Sequence, residues 1–300
     1  MNNLDKFKGI IVAFYAPYGK DGEVNIDAAI RQARFYKDAG VKGLYLNGSS
    51  GEGFLLNLEE RKKIVEAVIG EMKGEMTIIV HVGAAATREC VEMAKHAELI
   101  GADALSAVPS VYYRLPECSI EYHWSNIIES TELPFIIYNI PQLTGYDLTM
   151  NLLNKMIQNK KVIGVKNSSV NAFQTEQFKK AGGDNFIVFS GSDEQYLAGR
   201  IMGAEAGIGG TYGVMPELFL KLERYFASGD IGEAQKWQGR INEIINGLLS
   251  FKSLYAAAKG VLKLRGIDLG TVRAPMVSID ETDITRLSSL YQKLNEYLGM

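Results

Sequence analysis

The fold of this chain is decided by two apolar runs, PFIIYNIP at residues 134–141 and VIGVKNSS at residues 162–169. Each run has the length of a strand and is apolar almost throughout, which is typical of a strand buried on both faces of a parallel sheet. The stretch at 149–159 between them has helical period, and a parallel pair of strands needs such a crossover. The segment therefore predicts a strand–helix–strand unit.

The same unit repeats along the chain on both sides of this segment. Six further apolar runs are GIIVAFYAP (9–17), GLYLNG (43–48), TIIVHVG (77–83), ADALSAVP (102–109), FIVFSGS (186–192) and AGIGGTY (206–212). Amphipathic stretches follow the runs at 25–39, 57–72, 87–100, 118–131, 149–159, 171–181, 194–202 and 216–227. Eight consecutive units close a (β/α)8 barrel, so we predict the α/β fold of a TIM barrel. The alternative, an open doubly wound sheet, needs a G-x-G-x-x-G pattern that APYGKDGE (16–23) does not provide.

Several helix starts are also predicted from the sequence. Asn57 is followed by Glu60, which is the spacing of a capping box. Thr87 and Thr149 have the residue type expected at the N-cap of a helix.

The pattern changes after about residue 228. Segments 230–248, 251–265 and 280–298 have helical period, and no strand is predicted between them. No linker rich in proline, glycine or serine precedes them. We therefore expect a barrel catalytic domain at residues 1–228 and a C-terminal three-helix extension at residues 229–300 that packs on it.

Composition excludes several classes of protein. The chain is 47% hydrophobic and 22% charged, which excludes a disordered or collagen-like protein. A formal net charge of −3 gives no broad basic surface, so neither nucleic acid nor a membrane is expected as a partner. Only three histidines occur and no H-E-x-x-H pair, so no metal site is expected. The N-terminus, MNNLDKFKGI, lacks the apolar stretch of a signal peptide, and we predict a cytoplasmic protein.

Lys166 is the most informative candidate for chemistry. In a TIM barrel the active site lies at the carboxyl ends of the strands, and Lys166 ends the otherwise apolar run VIGVK. Burial favours the neutral amine, which is a nucleophile for carbonyl carbon. A lysine held in a core salt bridge, or one whose ammonium reaches solvent at the strand end, fits the same pattern.

Other strand ends carry polar residues with more than one interpretation. The GSSGE turn (48–52) offers hydroxyls and backbone N–H groups that suit a small carboxylate, or it is simply a tight turn. Tyr138 is either a packing residue or a proton shuttle beside an imine-forming lysine. Asp193 and Glu194 are either an exposed helix start or the acceptors for a neutral polyol.

Five motifs in this order and spacing identify a resemblance that covers essentially the whole chain. GSSGE (48–52), YNIP (138–141), GVKNSS (164–169), SGSDE (190–194) and GIGGTY (207–212) resemble the N-acetylneuraminate lyase and dihydrodipicolinate synthase family of class I aldolases. The resemblance implies Schiff-base chemistry at Lys166, with no metal and no organic cofactor, because the lysine forms a covalent imine with the substrate.

The resemblance also implies roles for individual residues. Ser49 and Ser50, with their backbone amides, would bind the carboxylate of the 2-keto acid. Tyr138 would transfer the proton of the C4 hydroxyl, with Ser50 and Tyr112 as relay partners. In relatives a tyrosine such as Tyr112 or Tyr113 reaches in from a neighbouring subunit, and the family is usually tetrameric, so a homotetramer is expected. The positions that match contacts to the sugar tail are Ser168, Gly191, Asp193 and Glu194.

Fewer residues decide between the branches of the family. Synthases resemble one another in an arginine two residues after the proline of the YNxP segment, and Leu143 at that position cannot bind a carboxylate. Gly210 departs from the lyases, which commonly carry a serine there, and neighbouring Thr211 would compensate in binding the tail.

The resemblance to the lyase branch implies reversible cleavage of N-acetylneuraminate, a 2-keto sugar acid, to N-acetylmannosamine and pyruvate. One alternative is another pyruvate-dependent aldolase, either a dihydrodipicolinate synthase or an aldolase for a 2-keto-3-deoxy sugar acid. A second alternative is a sensor that binds keto acids without turnover.

Overall fold

Eight parallel strands form a closed barrel in the computed structural model, which describes residues 4–299. The strands are β1 (Gly9–Ala13), β2 (Gly43–Leu46), β3 (Thr77–His81), β4 (Ala104–Ala107), β5 (Phe135–Asn139), β6 (Val162–Asn167), β7 (Ile187–Ser190) and β8 (Ala206–Gly209). Each strand pairs with the next along the chain, and β1 also pairs with β8. The predicted TIM barrel is therefore confirmed.

Helices connect the strands and cover the outside of the barrel, and further helices follow the eighth strand. They are α1 (Ile26–Ala39), α2 (Leu58–Met72), α3 (Thr87–Ile100), α4 (Glu117–Glu129), α5 (Pro141–Thr144), α6 (Met150–Met156), α7 (Ala172–Gly182), α8 (Tyr196–Ile201), α9 (Pro216–Ala227), α10 (Ile231–Leu249), α11 (Leu254–Leu264) and α12 (Ile284–Leu298). The sequence pattern did not predict α5. It also missed that the stretch 194–202 begins as a 3-10 turn, Asp193–Gln195, before α8.

Two of the three predicted helix caps are present. Asn57 and Glu60 form a complete capping box at the start of α2. Thr149 accepts a hydrogen bond from the backbone N–H of Leu152 at the start of α6. The prediction for Thr87 was wrong, because Ala86 holds the N-cap position and the Thr87 hydroxyl lies 2.8 Å from Nδ1 of His123 instead.

The core has two parts, one inside the barrel and one between the strands and the helices. The inner part contains Ile79, Ile136, Ile187 and Ile208, and Phe7 closes it at the amino ends of the strands. Burial on both faces is the reason that the strands read as continuous apolar runs. The inner core leaves the carboxyl ends of the strands free for polar side chains.

The predicted three-helix extension is present as α10, α11 and α12. Helix α10 packs against α9, against α12 and against the 3-10 turn Asp193–Gln195, so the extension reaches the carboxyl ends of the strands. The division into domains at residues 228 and 229 stays a prediction. Within residues 4–299, no helix is both long enough and apolar enough to span a bilayer.

Candidate active site

A cavity of about 500 Å³ opens at the carboxyl ends of the strands. All the site residues predicted from the sequence line it, with the exception of Tyr112: Ser49, Ser50, Tyr138, Lys166, Ser168, Gly191, Asp193, Glu194, Gly210 and Thr211. Motifs that are far apart in the sequence therefore meet in one cavity, because parallel strands bring their carboxyl ends to the same edge of the barrel.

Lys166 lies on β6, and only 3% of its surface is exposed. Its Nζ lies 3.9 Å from the ring centroid of Tyr138 and 4.3 Å from that of Tyr45. Across residues 4–299, no carboxylate forms an ion pair with it. The alternatives of a core salt bridge and of a solvent-exposed ammonium are therefore both wrong, and the amine is free to react with a molecule in the cavity.

Tyr138 is the cross-strand partner of Lys166. Their Cα atoms pair in the register of β5 and β6, and the ring of Tyr138 is buried. Edge-on contacts from Tyr45 and His81, each with a centroid distance of 5.9 Å, hold the ring in place. This arrangement keeps a phenol directly beside the amine.

His81 supports Tyr138 as a neutral side chain. The backbone N–H of Val108 donates to its Nε2 at 3.3 Å, so the proton belongs on Nδ1, which donates to the Asn47 carbonyl at 3.0 Å. Burial and the nearby guanidinium of Arg61 hold the pKa of His81 well below its usual value. The imidazole therefore adds no positive charge beside Lys166.

The loop at residues 47–52, which we call the serine loop, carries Ser49 and Ser50 into the cavity. It is strained at both ends, since Asn47 and Glu52 have φ values of 60° and 50°. Gly51 is required for a close approach, because a Cβ there would lie 2.8 Å from the carbonyl oxygen of Phe14. The surrounding structure therefore holds the backbone of this turn in one conformation.

A buried ion pair ties the end of the serine loop to helix α11. Nζ of Lys259 lies 2.6 Å from Oε1 of Glu52, and the two side chains are 1% and 0% exposed. Oε2 of Glu52 accepts the backbone N–H of Arg273 at 2.8 Å, and Lys259 also donates to the Thr271 carbonyl at 2.7 Å. Burial lowers the pKa of Lys259, and the Glu52 carboxylate opposes that shift. Because both charges are hydrogen-bonded, this pair can stay ionised in the core.

A second element, the turn Asp193–Gln195, brings two carboxylates to the cavity, and we call it the acid turn. Oδ2 of Asp193 accepts both the backbone N–H and the hydroxyl of Thr211, each at 2.7 Å. Oδ1 is buried and has no hydrogen-bond partner within residues 4–299, and the absence of a Cβ at Gly209 leaves room for it. Burial raises the pKa of Asp193 to about 6, although the bonds from Thr211 oppose the shift. The adjacent Glu194 is exposed.

Gly191 and Ser168 form the side of the cavity beside the acid turn. The Ser168 hydroxyl donates to the carbonyl of Gly191 at 3.1 Å, and a Cβ at position 191 would overlap that hydroxyl. The absence of a side chain at Gly191 therefore leaves the space that the Ser168 hydroxyl occupies in the cavity wall.

Gly210 lies where the serine loop approaches β8. A Cβ at position 210 would overlap the hydroxyl of Ser50, and the Tyr15 hydroxyl donates to the Gly210 carbonyl at 2.7 Å. The glycine is thus matched to the position of Ser50. A side chain at position 210 would therefore require the Ser50 hydroxyl to move.

Tyr112 is the one predicted site residue that the chain does not bring to the cavity. Its side chain is 91% exposed, its φ is 83°, and its ring packs edge-on against Tyr113 at 5.1 Å. A relay role for Tyr112 therefore requires a second subunit, and it stays a prediction.

Sequence reasoning missed several residues that line the cavity. They are Tyr15, Ile140, Ile208, Asn242, Ile245, Asn246, Leu249, Leu254 and Tyr255. Tyr15 follows the end of β1, so the rule of polar residues at strand ends could have found it. Asn242 and Asn246 lie one helical turn apart in the apolar stretch INEIINGLL (241–249), which is a weaker signal. Most of these residues come from the extension, whose approach to the cavity the pattern did not show.

The chain is similar to known proteins in both sequence and structure. The model of the dihydrodipicolinate synthetase family matches residues 6–294. The N-acetylneuraminate lyase of Mediterraneibacter gnavus is 44% identical over 287 residues, which cover 95% of this chain and 91% of that protein. A solved structure of the Ruminococcus gnavus sialic acid aldolase, a catalytic lysine mutant, superposes with a TM-score of 0.98 at 42% identity, covering 100% of this chain and 99% of the other. The Clostridium difficile protein CdNal, solved in complex with mannosamine, has a TM-score of 0.93 at 32% identity and covers 96% and 99%.

Proposed function

The chain belongs to the dihydrodipicolinate synthetase family, and we propose that it is a carbon–carbon lyase that cleaves N-acetylneuraminate to N-acetylmannosamine and pyruvate. The observation that carries the proposal is the environment of Lys166. It is the only lysine among the described residues that line the cavity, it is buried, and it forms no ion pair. The match to the family model agrees with the resemblance that the five sequence motifs indicate.

The first half of the reaction joins the substrate to Lys166. The amine adds to the C2 carbonyl of the sugar acid, and loss of water gives an imine. Protonated, this imine draws electrons toward its nitrogen, so it accepts the electron pair released at C3. The serine loop supports this step, because its hydroxyls and backbone N–H groups suit the carboxylate next to C2.

The second half breaks the C3–C4 bond. The oxygen of Tyr138 takes the proton of the C4 hydroxyl, with Ser50 and the Tyr112 of a second subunit as relay partners. The bond electrons pass to the imine nitrogen, which leaves an enamine on Lys166 and an aldehyde, N-acetylmannosamine. Protonation of the enamine at C3 and addition of water then release pyruvate and restore the amine. All protons and electrons stay within the substrate, the side chains and water, so we propose that no metal or organic cofactor takes part.

The remaining wall of the cavity suits a hydroxylated tail better than a second carboxylate. Asp193 and Glu194 both line the cavity and place two acidic side chains in this wall. Hydroxyl groups donate to carboxylates, whereas a second anionic group on the tail of the substrate would be repelled. Leu143, where synthases carry an arginine, is exposed and supplies no cation. These features support the lyase branch over the synthase branch.

The proposal extends to assembly and location. A homotetramer would bring the exposed Tyr112 against a neighbouring copy, and its mass in solution is measurable by light scattering. The cytoplasmic location predicted from the sequence stays part of the proposal.

The direct test is pyruvate release from N-acetylneuraminate by the purified protein. We expect release by the natural chain, loss to the uncatalysed level in Lys166→Ala, and a pyruvate adduct on Lys166 after borohydride reduction, detected by mass spectrometry. Faster condensation of pyruvate with aspartate semialdehyde would favour the synthase. Adduct formation without cleavage of any sugar acid would favour the sensor, and an unmodified Lys166 would contradict the Schiff-base mechanism.

A further inference from the structure

We propose that Gln238, on helix α10 of the extension, is a positioning residue that holds the acid turn and thereby determines how tightly the substrate tail is bound. Its Nε2 donates to the backbone carbonyl of Asp193 at 3.2 Å, and its Oε1 accepts the backbone N–H of Leu197 at 2.9 Å. One side chain thus bridges the first residue of the acid turn and the first turn of α8. The part of the proposal that concerns the tail rests on the proposed function.

A second amide on the same helix extends the bridge. Nε2 of Gln238 also donates to Oδ1 of Asn242 at 2.9 Å, and Nδ2 of Asn242 donates to the backbone carbonyl of Glu194 at 3.1 Å. The two carbonyls of the adjacent acidic residues are therefore each held by an amide from α10. Residues four apart on a helix lie on one face, so the spacing of Gln238 and Asn242 matches two consecutive carbonyls of the turn.

Gln238 acts on the substrate only through the turn. It is 9% exposed and, unlike Asn242, it is not among the described residues that line the cavity. Both hydrogens of its Nε2 and its Oε1 are used in the bonds given above, so its amide is already committed to the protein.

The acid turn is held from two directions, and they fix different parts of it. Thr211 binds the Asp193 carboxylate, whereas Gln238 binds the Asp193 backbone. Both restraints fix where Asp193 lies in the cavity wall. A backbone free to shift would displace this part of the wall, while Lys166 on strand β6 stays where it is.

The test compares Gln238→Met with Gln235→Met, which makes the same change at an exposed position of the same helix. For Gln238→Met we expect about tenfold faster hydrogen exchange in the segment 192–200, as expected when buried hydrogen bonds are lost. We also expect the KM for N-acetylneuraminate to rise about tenfold, with kcat and the pyruvate concentration for half-maximal adduct formation changed less than about twofold. Gln235→Met should match the natural chain in each measurement.

A second variant, Gln238→Glu, covers the case in which the methionine variant does not fold. The glutamate keeps the acceptor for the backbone N–H of Leu197. Its second carboxylate oxygen cannot donate to the Asp193 carbonyl or to Oδ1 of Asn242, so the same changes are expected. Unchanged exchange at 192–200 would overturn the proposal, and so would equal losses in tail binding and in pyruvate binding. If the natural chain forms no pyruvate from N-acetylneuraminate, the lyase proposal fails, and the exchange measurement alone decides whether Gln238 holds the turn.

Discussion

The serine loop and the acid turn are both tied to the C-terminal extension, but by different chemistry. Glu52 at the end of the serine loop forms a buried ion pair with Lys259 of α11. The acid turn is held through its backbone by neutral amides, those of Gln238 and Asn242 on α10. One tether is therefore charged and enclosed in the core, and the other is a set of ordinary hydrogen bonds.

The two kinds of tether differ in what it costs to break them. Removal of one partner of a buried ion pair costs about 3–5 kcal/mol, because a charge is left without compensation. A neutral hydrogen bond contributes about 1 kcal/mol. The serine loop, assigned to the carboxylate beside the reacting carbon, is thus held in one geometry. The acid turn, assigned to the variable tail, can shift at lower cost, which suits a region that determines specificity.

After Lys166→Ala, Tyr138→Phe should have the largest effect, and it should impair cleavage without impairing adduct formation. The variant keeps the ring between Tyr45 and His81 but loses the oxygen that takes the C4 proton, so kcat should fall about 10²- to 10⁴-fold. Borohydride trapping of pyruvate on Lys166 should continue at an unchanged level. Unchanged turnover in a rate assay would remove Tyr138 from the mechanism.

Lys259→Met tests the charged tether. Because the Glu52 carboxylate would remain buried without its partner, the free energy of unfolding should fall by about 3–5 kcal/mol in urea denaturation. Lys263→Met, on the exposed side of α11, is the matched control and should cost less than about 1 kcal/mol. Adding Glu52→Gln to Lys259→Met should restore part of the loss. If Gln238→Met proves more destabilising than Lys259→Met, the contrast between the two tethers is wrong.

The pH dependence of substrate binding tests the acid turn. With a pKa of about 6, Asp193 is ionised at pH 7 and only about one-tenth ionised at pH 5. Because Thr211 donates to Oδ2, the added proton belongs on Oδ1 and removes the negative charge of Asp193 from the cavity wall. The KM for N-acetylneuraminate should therefore rise about tenfold between pH 7 and pH 5, and Asp193→Asn should abolish the rise. A rise that persists in Asp193→Asn would assign it to another group.

Gly210→Ser should have the smallest effect, at the point where β8 meets the serine loop. The new Cβ forces the Ser50 hydroxyl to rotate, so the pyruvate concentration for half-maximal adduct formation should rise about threefold. Gly210→Ala should behave in the same way, since the Cβ alone causes the overlap. Tighter binding of the sugar acid by Gly210→Ser would mean that the serine restores a tail contact instead.

The barrel was predictable because its cause is local and repeated. A strand such as β6 is buried on both faces. Burial on both faces requires apolar residues at consecutive positions, which the sequence shows as a run such as VIGV (162–165). The place of Lys166 at the end of that run identified the candidate nucleophile, but the run alone left a core salt bridge equally open. That Lys166 has no ion-pair partner within residues 4–299 became visible only in the folded chain, since any partner would come from a distant part of the sequence.

The acid turn and the extension show where prediction from the sequence ended. Asp193 and Glu194 are neighbours in the chain, yet one is buried with a raised pKa and the other is exposed. Gln238 was not predicted at all, because a glutamine on an amphipathic helix has no pattern that distinguishes a structural bridge from a solvated side chain.

By itself, the sequence determined the eight-fold repeat, the order of the motifs along the strand ends, and the family to which they point. Only the tertiary structure decided which side chains share one cavity, which lysine is paired and which is free, and how the extension holds the two loops. The physical reason is the range of the interactions. Hydrophobic periodicity can be recognised within about a dozen residues. The ion pair between Glu52 and Lys259, by contrast, joins positions 207 residues apart and exists only in the folded barrel.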